Sequence, residues 1–158
     1  MPIIEGAIGT PFQVAGTPSA GTDAVQTLTV TATGGTYTLS YEGFTTTALA
    51  FDALAATIDA ALEALPSIGA SGVAVTSTGP WTITFGGNLT KKLVSVITVG
   101  VAALTGGSAS IANTTHGVDA TARGAGKGCL VQDTTNGLLY INTGTARAPT
   151  WTKVGVQT

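Results

Sequence analysis

The chain has 158 residues, enough for one ordinary domain or one domain with small appendages. Only 9% of its residues are charged and the net charge is −2, whereas a typical soluble domain is about 25% charged. Lys91-Lys92 is the only basic pair, so there is no concentrated phosphate-neutralising patch, which argues against nucleic-acid binding.

Residues 1–23 read as an extended arm. Prolines at 2, 11 and 18 and glycines at 6, 9, 16 and 21 forbid regular structure of any length. Between them stand the apolar residues Ile3, Ile4, Phe12 and Val14. A disordered tail is usually more polar and more charged than this, so the arm is expected to lie in a groove on a partner or on its own domain, with those four side chains expected on a neighbouring subunit or another partner rather than in their own core.

From Ala24 the period becomes two. Leu28 and Val30 alternate with threonines, "TGG" suggests a turn, and Tyr37, Leu39 and Tyr41 alternate with Thr36, Thr38 and Ser40. That pattern predicts a hairpin with one buried and one wet face. A helix follows. Asp52 is the expected N-cap, and Phe51, Leu54, Ile58, Leu62 and Leu65 recur at spacings of three and four as one apolar stripe. Pro66 ends it. Strands are expected at Val73–Val75, at Trp81–Phe85 after the "STGP" turn, over roughly Leu93–Val99, and near Ser108–Ala112. The expected class is α+β, mainly β: an antiparallel sheet with one packed helix in the order β-β-α-β-β-β, spanning 24–118.

Residues 119–158 carry a linker and a small β-meander. In "DTTNGLLYINTGTARAPTWTKVG", Asn-Gly is a strong hairpin signal joining Cys129–Gln132 to Leu139–Asn142. A third strand runs from Trp151 to Val154. Three short strands bury too little to stand alone, so this piece is expected to need neighbours. Leu138, Tyr140 and Trp151 are its candidate contact residues, together with Ile3, Ile4, Phe12 and Val14 of the arm.

No side-chain constellation suggests chemistry. His116, the single histidine, has no second metal ligand at useful spacing. The carboxylates are scattered, without the paired geometry of glycoside hydrolysis. "GAGKG" lacks a Ser or Thr after the lysine and precedes a strand, unlike a phosphate loop. The single cysteine, Cys129, rules out an intrachain disulfide framework and reads as a small core residue. The expectation is therefore no enzyme, no cofactor and no metal. "MPIIEGAIGTPFQV" lacks the basic and apolar regions of a secretory leader. The most apolar stretch, Leu93 to Leu104, is too short to cross a bilayer, so no membrane partner is expected.

The segment "GTYTLSYEGFTTTALAFDALAATIDAALEALPSIGASGVAVTSTGPWTITFGGNL", Gly35 to Leu89, resembles a module repeated in structural proteins of tailed bacteriophages, especially those of actinobacteria. The terminal "DTTNGLLYINTGTARAPTWTKVG" is similar to a β-meander of phage head-decoration, head-fibre and tail proteins, except that Leu138 replaces a usually polar or charged residue. The resemblance implies a capsid decoration (minor capsid) protein. It would be made in the host bacterial cytoplasm and placed on the virion surface, where it binds the major capsid protein and stabilises the shell. A homotrimer is the simplest arrangement on such a shell. A tail or fibre protein that binds a host surface is the alternative; a host glycan would call for exposed aromatics, and Trp81 and Tyr37 alternate within strands as buried residues do.

Overall fold

The computed structural model describes residues 12–122 and 124–155. Its strands are β1 (Phe12–Val14), β2 (Val25–Thr31), β3 (Gly34–Tyr41), β4 (Phe44–Thr45), β5 (Leu49–Ala50), β6 (Val73–Thr76), β7 (Trp81–Phe85), β8 (Thr98–Gly100), β9 (Leu104–Thr105), β10 (Ser108–Thr115), β11 (Leu130–Asp133), β12 (Leu138–Asn142) and β13 (Trp151–Lys153). One α-helix, α1 (Ala55–Glu63), follows β5. The fold is α+β and mainly β, built almost wholly of antiparallel pairs. Two compact units form: one from Thr22–Val118, the other from the described residues up to Gly21 together with those from Asp119 onward.

The larger unit contains two sheets. One has the order β10-β2-β7-β6; the other is centred on β3, which pairs with β4, β5, β8 and β9. Alternation decides what each strand buries. Leu28, Trp81, Ile83, Phe85 and Val73 from the first sheet share a core with Tyr37, Leu39, Tyr41 and Leu49 from the second, and the Tyr41 and Phe85 rings sit 5.6 Å apart. Ile58, Leu62 and Leu65 complete that core from the helical segment. The threonines between these residues face outward.

The expected β2–β3 hairpin is not a hairpin. The two strands belong to different sheets, and "TGG" is the corner between them. There the Thr33 and Thr36 amides donate to Thr105 and Ala103 carbonyls, both at 3.0 Å. Gly35 adopts φ +84, and a Cβ there would collide with the Ala103 carbonyl, so this corner needs glycine.

Two further expectations shift. The helix begins at Ala55 with Leu54 as N-cap and no side-chain cap. Asp52 is exposed, because the chain there still follows β5: the Phe51 amide donates to Gly35 and the Ala53 amide to Ala50. Leu54 is consequently 71% exposed and Phe51 only half-buried, so the packed stripe is Ile58, Leu62 and Leu65. The Leu93–Val99 run is strand only from Thr98. Before it, the buried Gln26 side chain takes the place of a neighbouring strand: its Nε2 donates to the Ser95 carbonyl at 2.9 Å and its Oε1 accepts from the Ile97 amide at 3.0 Å.

The smaller unit is a four-stranded sheet in the order β1-β11-β12-β13. The meander is present as expected from its turn signals. Its fourth strand comes from the arm: β1 lies parallel to β11, with Phe12 opposite Val131 and Val14 opposite Asp133. Three residues between Pro11 and Gly16 are enough for this addition, and the described part of the arm thus groups with the C-terminal strands.

Candidate functional site

The contact residues expected from the sequence fall mainly in the smaller unit, where two buried polar side chains set the geometry. Asp133, fully buried, ends β11. Its Oδ1 accepts from the Gly16 amide at 3.0 Å, the Thr135 amide at 2.9 Å and the Asn136 amide at 3.1 Å; its Oδ2 accepts from Asn136 Nδ2 at 2.7 Å. A short polar side chain folding back on its own turn is the usual Asx arrangement. Here it also ties the N-terminal segment to the hairpin. The Asn136 side chain, with the Asn136, Thr135 and Gly16 amides, holds the Asp133 carboxyl below its ordinary range against the opposing effect of burial.

Asn142, also fully buried, does the same at the other end of β12. Its Oδ1 accepts from the Gly144 and Thr150 amides, at 2.9 and 3.0 Å, and its Nδ2 donates to the Ala125 carbonyl at 2.7 Å. Both loops flanking the sheet are thereby fixed to one side chain.

Register then assigns the faces. Cross-strand partners share a face, so Phe12, Val14, Val131, Asp133, Leu138, Tyr140, Asn142 and Trp151 lie on one side of the sheet. Thus five of the expected contact residues, Phe12, Val14, Leu138, Tyr140 and Trp151, are brought together on a single face. Ile3 and Ile4 lie outside the described residues. The centre of that face is packed, however. Val131, Asp133, Tyr140 and Asn142 are buried, Leu138, Val14 and Trp151 are half-buried, and Phe12 alone stands 58% exposed at the rim. The Trp151 indole N–H is buried without a hydrogen-bond partner.

The opposite face carries Gln13, Leu130, Gln132, Leu139, Ile141 and Thr152. Leu130, 40% exposed, pairs with half-buried Ile141, and Leu139 is half-buried beside them. These three residues are absent from the sequence-based candidates. "LLYIN" is apolar at consecutive positions, so alternation alone cannot say which side is packed. The signal was Asp133 and Asn142: both fold back onto turns, and the face they share becomes the inner one. The described cations of this unit, Lys127, Arg147 and Lys153, are all exposed, as is Cys129, which belongs to no core.

In the larger unit, Trp81 and Tyr37 are 5% and 1% exposed, and burial pushes the Tyr37 phenol up to about 12. His116 is exposed, and among the described residues no group of three or more His, Cys, Asp or Glu could hold a metal ion. No helix among the described residues is long and apolar enough to cross a membrane.

No protein-family model matches the sequence, and no curated protein matches it. Among solved structures, the chain is similar to one from Mycobacterium phage Patience, at 18% sequence identity and a TM-score of 0.45. The match covers 82% of this chain and 49% of that one, so the chain spans about half the length of this phage neighbour.

Proposed function

We propose that the protein is a structural component of a phage virion: a capsid decoration protein that binds the outer surface of the major capsid protein and clamps the shell mechanically. The observation that carries this reading is the small sheet with apolar residues on both sides. One side is buried around Asp133 and Asn142. The other presents Leu130, Leu139 and Ile141, which a partner surface would cover. The resemblance of Gly35–Leu89 and of the terminal meander to phage structural modules points the same way.

The work asked of such a protein is burial and strand pairing rather than chemistry, so the protein is not an enzyme on this reading. Nothing in it calls for a cofactor or for nucleic acid. Self-association as a homotrimer would place three meander sheets around a three-fold or quasi-three-fold position, with Phe12 and the Leu130–Ile141 face toward neighbours. A tail or fibre protein gripping a host glycan is less well supported, since Trp81 and Tyr37, the aromatics such a site would need, lie inside the core.

The test is binding to purified undecorated heads, followed by cryo-microscopy. Leu130→Asp/Ile141→Asp should fold as the parent does yet fail to saturate heads. Full occupancy by that variant, or density for the protein only on the tail, would overturn the proposal.

A further inference from the structure

The two edges of the β10-β2-β7-β6 sheet are finished in different ways. At β6, helix α1 lies alongside, and Asp59 Oδ1 accepts the Val75 amide at 2.8 Å, so an edge group is occupied and the acidic residues Asp59 and Glu63 stand guard. At β10 the described residues provide no such charge or side-chain bond, although β8 lies in contact with part of the strand. This eight-residue strand, "SASIANTT", contains no charge and no proline, and among the described residues it pairs only with β2. Its one irregularity, a register shift between Asn113 and Thr115, leaves Ser108–Asn113 straight. Natural proteins block long flat edges with charges, prolines or bulges, because the unpaired N–H and C=O groups otherwise recruit another strand. The side chains tell the same story. Leu28 and Ile83, on the strands farther in, are fully buried, whereas Ala109 and Ile111 on the inner side of β10 are only half-buried.

We propose that β10 is an association edge that pairs antiparallel, across a two-fold axis, with β10 of a second copy of this chain. Ile111 lies opposite its own counterpart, completing the half-covered end of the core, and Ser110 lies opposite Ala112. The outward rows of small hydroxyl residues (Ser110 beside Thr29, Ala112 beside Thr27 and Thr82) then run on across the joint. Two four-stranded sheets become one of eight. A second copy fits because the strand cannot repel itself. The acidic helix lies at the far edge, beyond β2, β7 and β6, and three strand spacings amount to roughly 14 Å, more than the screening length of about 8 Å at physiological salt. This pairing does not depend on the capsid reading. If both hold, contacts at three-folds through the small sheet and at two-folds through β10 link into a continuous net.

The experiment is sedimentation of the full chain over a wide concentration range, with amide exchange on β10. The parent should show a concentration-dependent doubling of its smallest species, accompanied by slower exchange across Ala109–Asn113. Ser110→Lys/Ala112→Lys, at two exposed positions, places like charges opposite each other. It should abolish the doubling while the far-UV spectrum stays the same and the thermal midpoint matches that of the parent at concentrations too low for pairing. Mixing it with Ser110→Glu/Ala112→Glu should restore pairing between the two variants. Leu130→Asp/Ile141→Asp should leave the doubling intact, which separates this edge from the small-sheet contact. The proposal is overturned if the parent shows no doubling, if the doubling survives the lysine pair, or if β10 becomes protected only when another protein is added.

Discussion

The two units solve the problem of stability by different means. In Thr22–Val118, two sheets and a helix enclose a continuous apolar core, and its outward faces are threonine-rich and almost uncharged. In the smaller unit Val131 and Tyr140 are the main buried apolar residues of the sheet, and the centre of its packed face is shared with Asp133 and Asn142. A sheet too small to be held by burial is held by polar groups that satisfy several backbone amides at once. The consequence is functional. The larger unit leaves single apolar residues exposed, such as Leu54 and Leu93, whereas the small sheet gathers Leu130, Leu139 and Ile141 on one face.

The strongest way to break this comparison is to attack the large core. Ile58 is fully buried at the centre of the packed stripe. Ile58→Ala should destabilise the larger unit by about 2–5 kcal/mol, from the lost transfer free energy plus the cavity left behind. The two tryptophans divide between the units, Trp81 in the larger and Trp151 in the smaller, so Trp151→Phe leaves a fluorescence probe of the larger unit alone. Denaturant unfolding followed by Trp81 should shift to lower concentration. An unshifted midpoint would mean that the stripe carries no core energy.

The corresponding attack on the small unit is polar. Asn142→Ala removes the acceptor for the Gly144 and Thr150 amides and the donor to Ala125. Each of these groups that stays buried and unpaired costs about 1–3 kcal/mol. The Trp151 signal, in a Trp81→Phe background, should report unfolding of the small unit well before the parent. Equal midpoints would show that the loops find water and that the hub is dispensable.

Acid provides a graded version of the same test. The folded Asp133 carboxyl is held below its ordinary value, so its contribution is fully present above the unfolded value, near 3.8, and disappears as pH falls through the lower folded value. The larger unit has a counterpart in Asp23. Burial pushes that carboxyl up, but the Thr90 hydroxyl, the Lys91 amide and the Lys91 ammonium outweigh burial and hold it low. Both units should weaken below about pH 4, because Asp133 and Asp23 each tie together segments far apart in sequence. Asp133→Asn should flatten the acid limb of the Trp151 transition. Persistence of that limb would assign it to another group.

How much of this was readable from the sequence follows from which interactions are local. Period-two alternation located most strands, the spacing of Ile58, Leu62 and Leu65 marked the helix, and Asn136-Gly137 marked the meander hairpin. Pairing partners were not readable, because Leu28 and Tyr37 alternate in the same way whether their strands join in one sheet or face each other from two. The Gln26 clamp on Ser95 and Ile97 and the Asp133 bond to Gly16 join residues far apart in sequence, and nothing in the local pattern announces them. Most of the candidate site suffers from the same limit. The sequence-based candidates of the sheet share its packed face, while the open face, Leu130, Leu139 and Ile141, was legible only once the turn hubs fixed the inside.

The smallest expected effect sharpens the comparison at the level of turns. In the small unit the β11–β12 connection is a four-residue loop, Thr134 to Gly137, organised by Asp133, with positive φ only at Gly137 among its residues. In the larger unit β3 and β4 are joined by Glu42 and Gly43 alone, with Tyr41 opposite Phe44 and positive φ at both turn residues, 47° and 83°. Two left-handed residues in a two-residue loop make a type I′ turn, for which Asn-Gly is the favoured pair. Glu42 has a Cβ that crowds the following carbonyl in that conformation and no short polar group to compensate. Its side chain is exposed, so little else depends on it. Glu42→Asn should therefore stabilise the larger unit by about 0.5 kcal/mol, the low end for turn and cap optimisation, read as a small rise in the Trp81 midpoint. The converse change, Asn136→Glu, should be costly, since it removes the Nδ2 donor to Asp133 at 2.7 Å. If the two substitutions had similar effects, the turn hub would count for no more than backbone preference, and the distinction between the units would fail at its most local point.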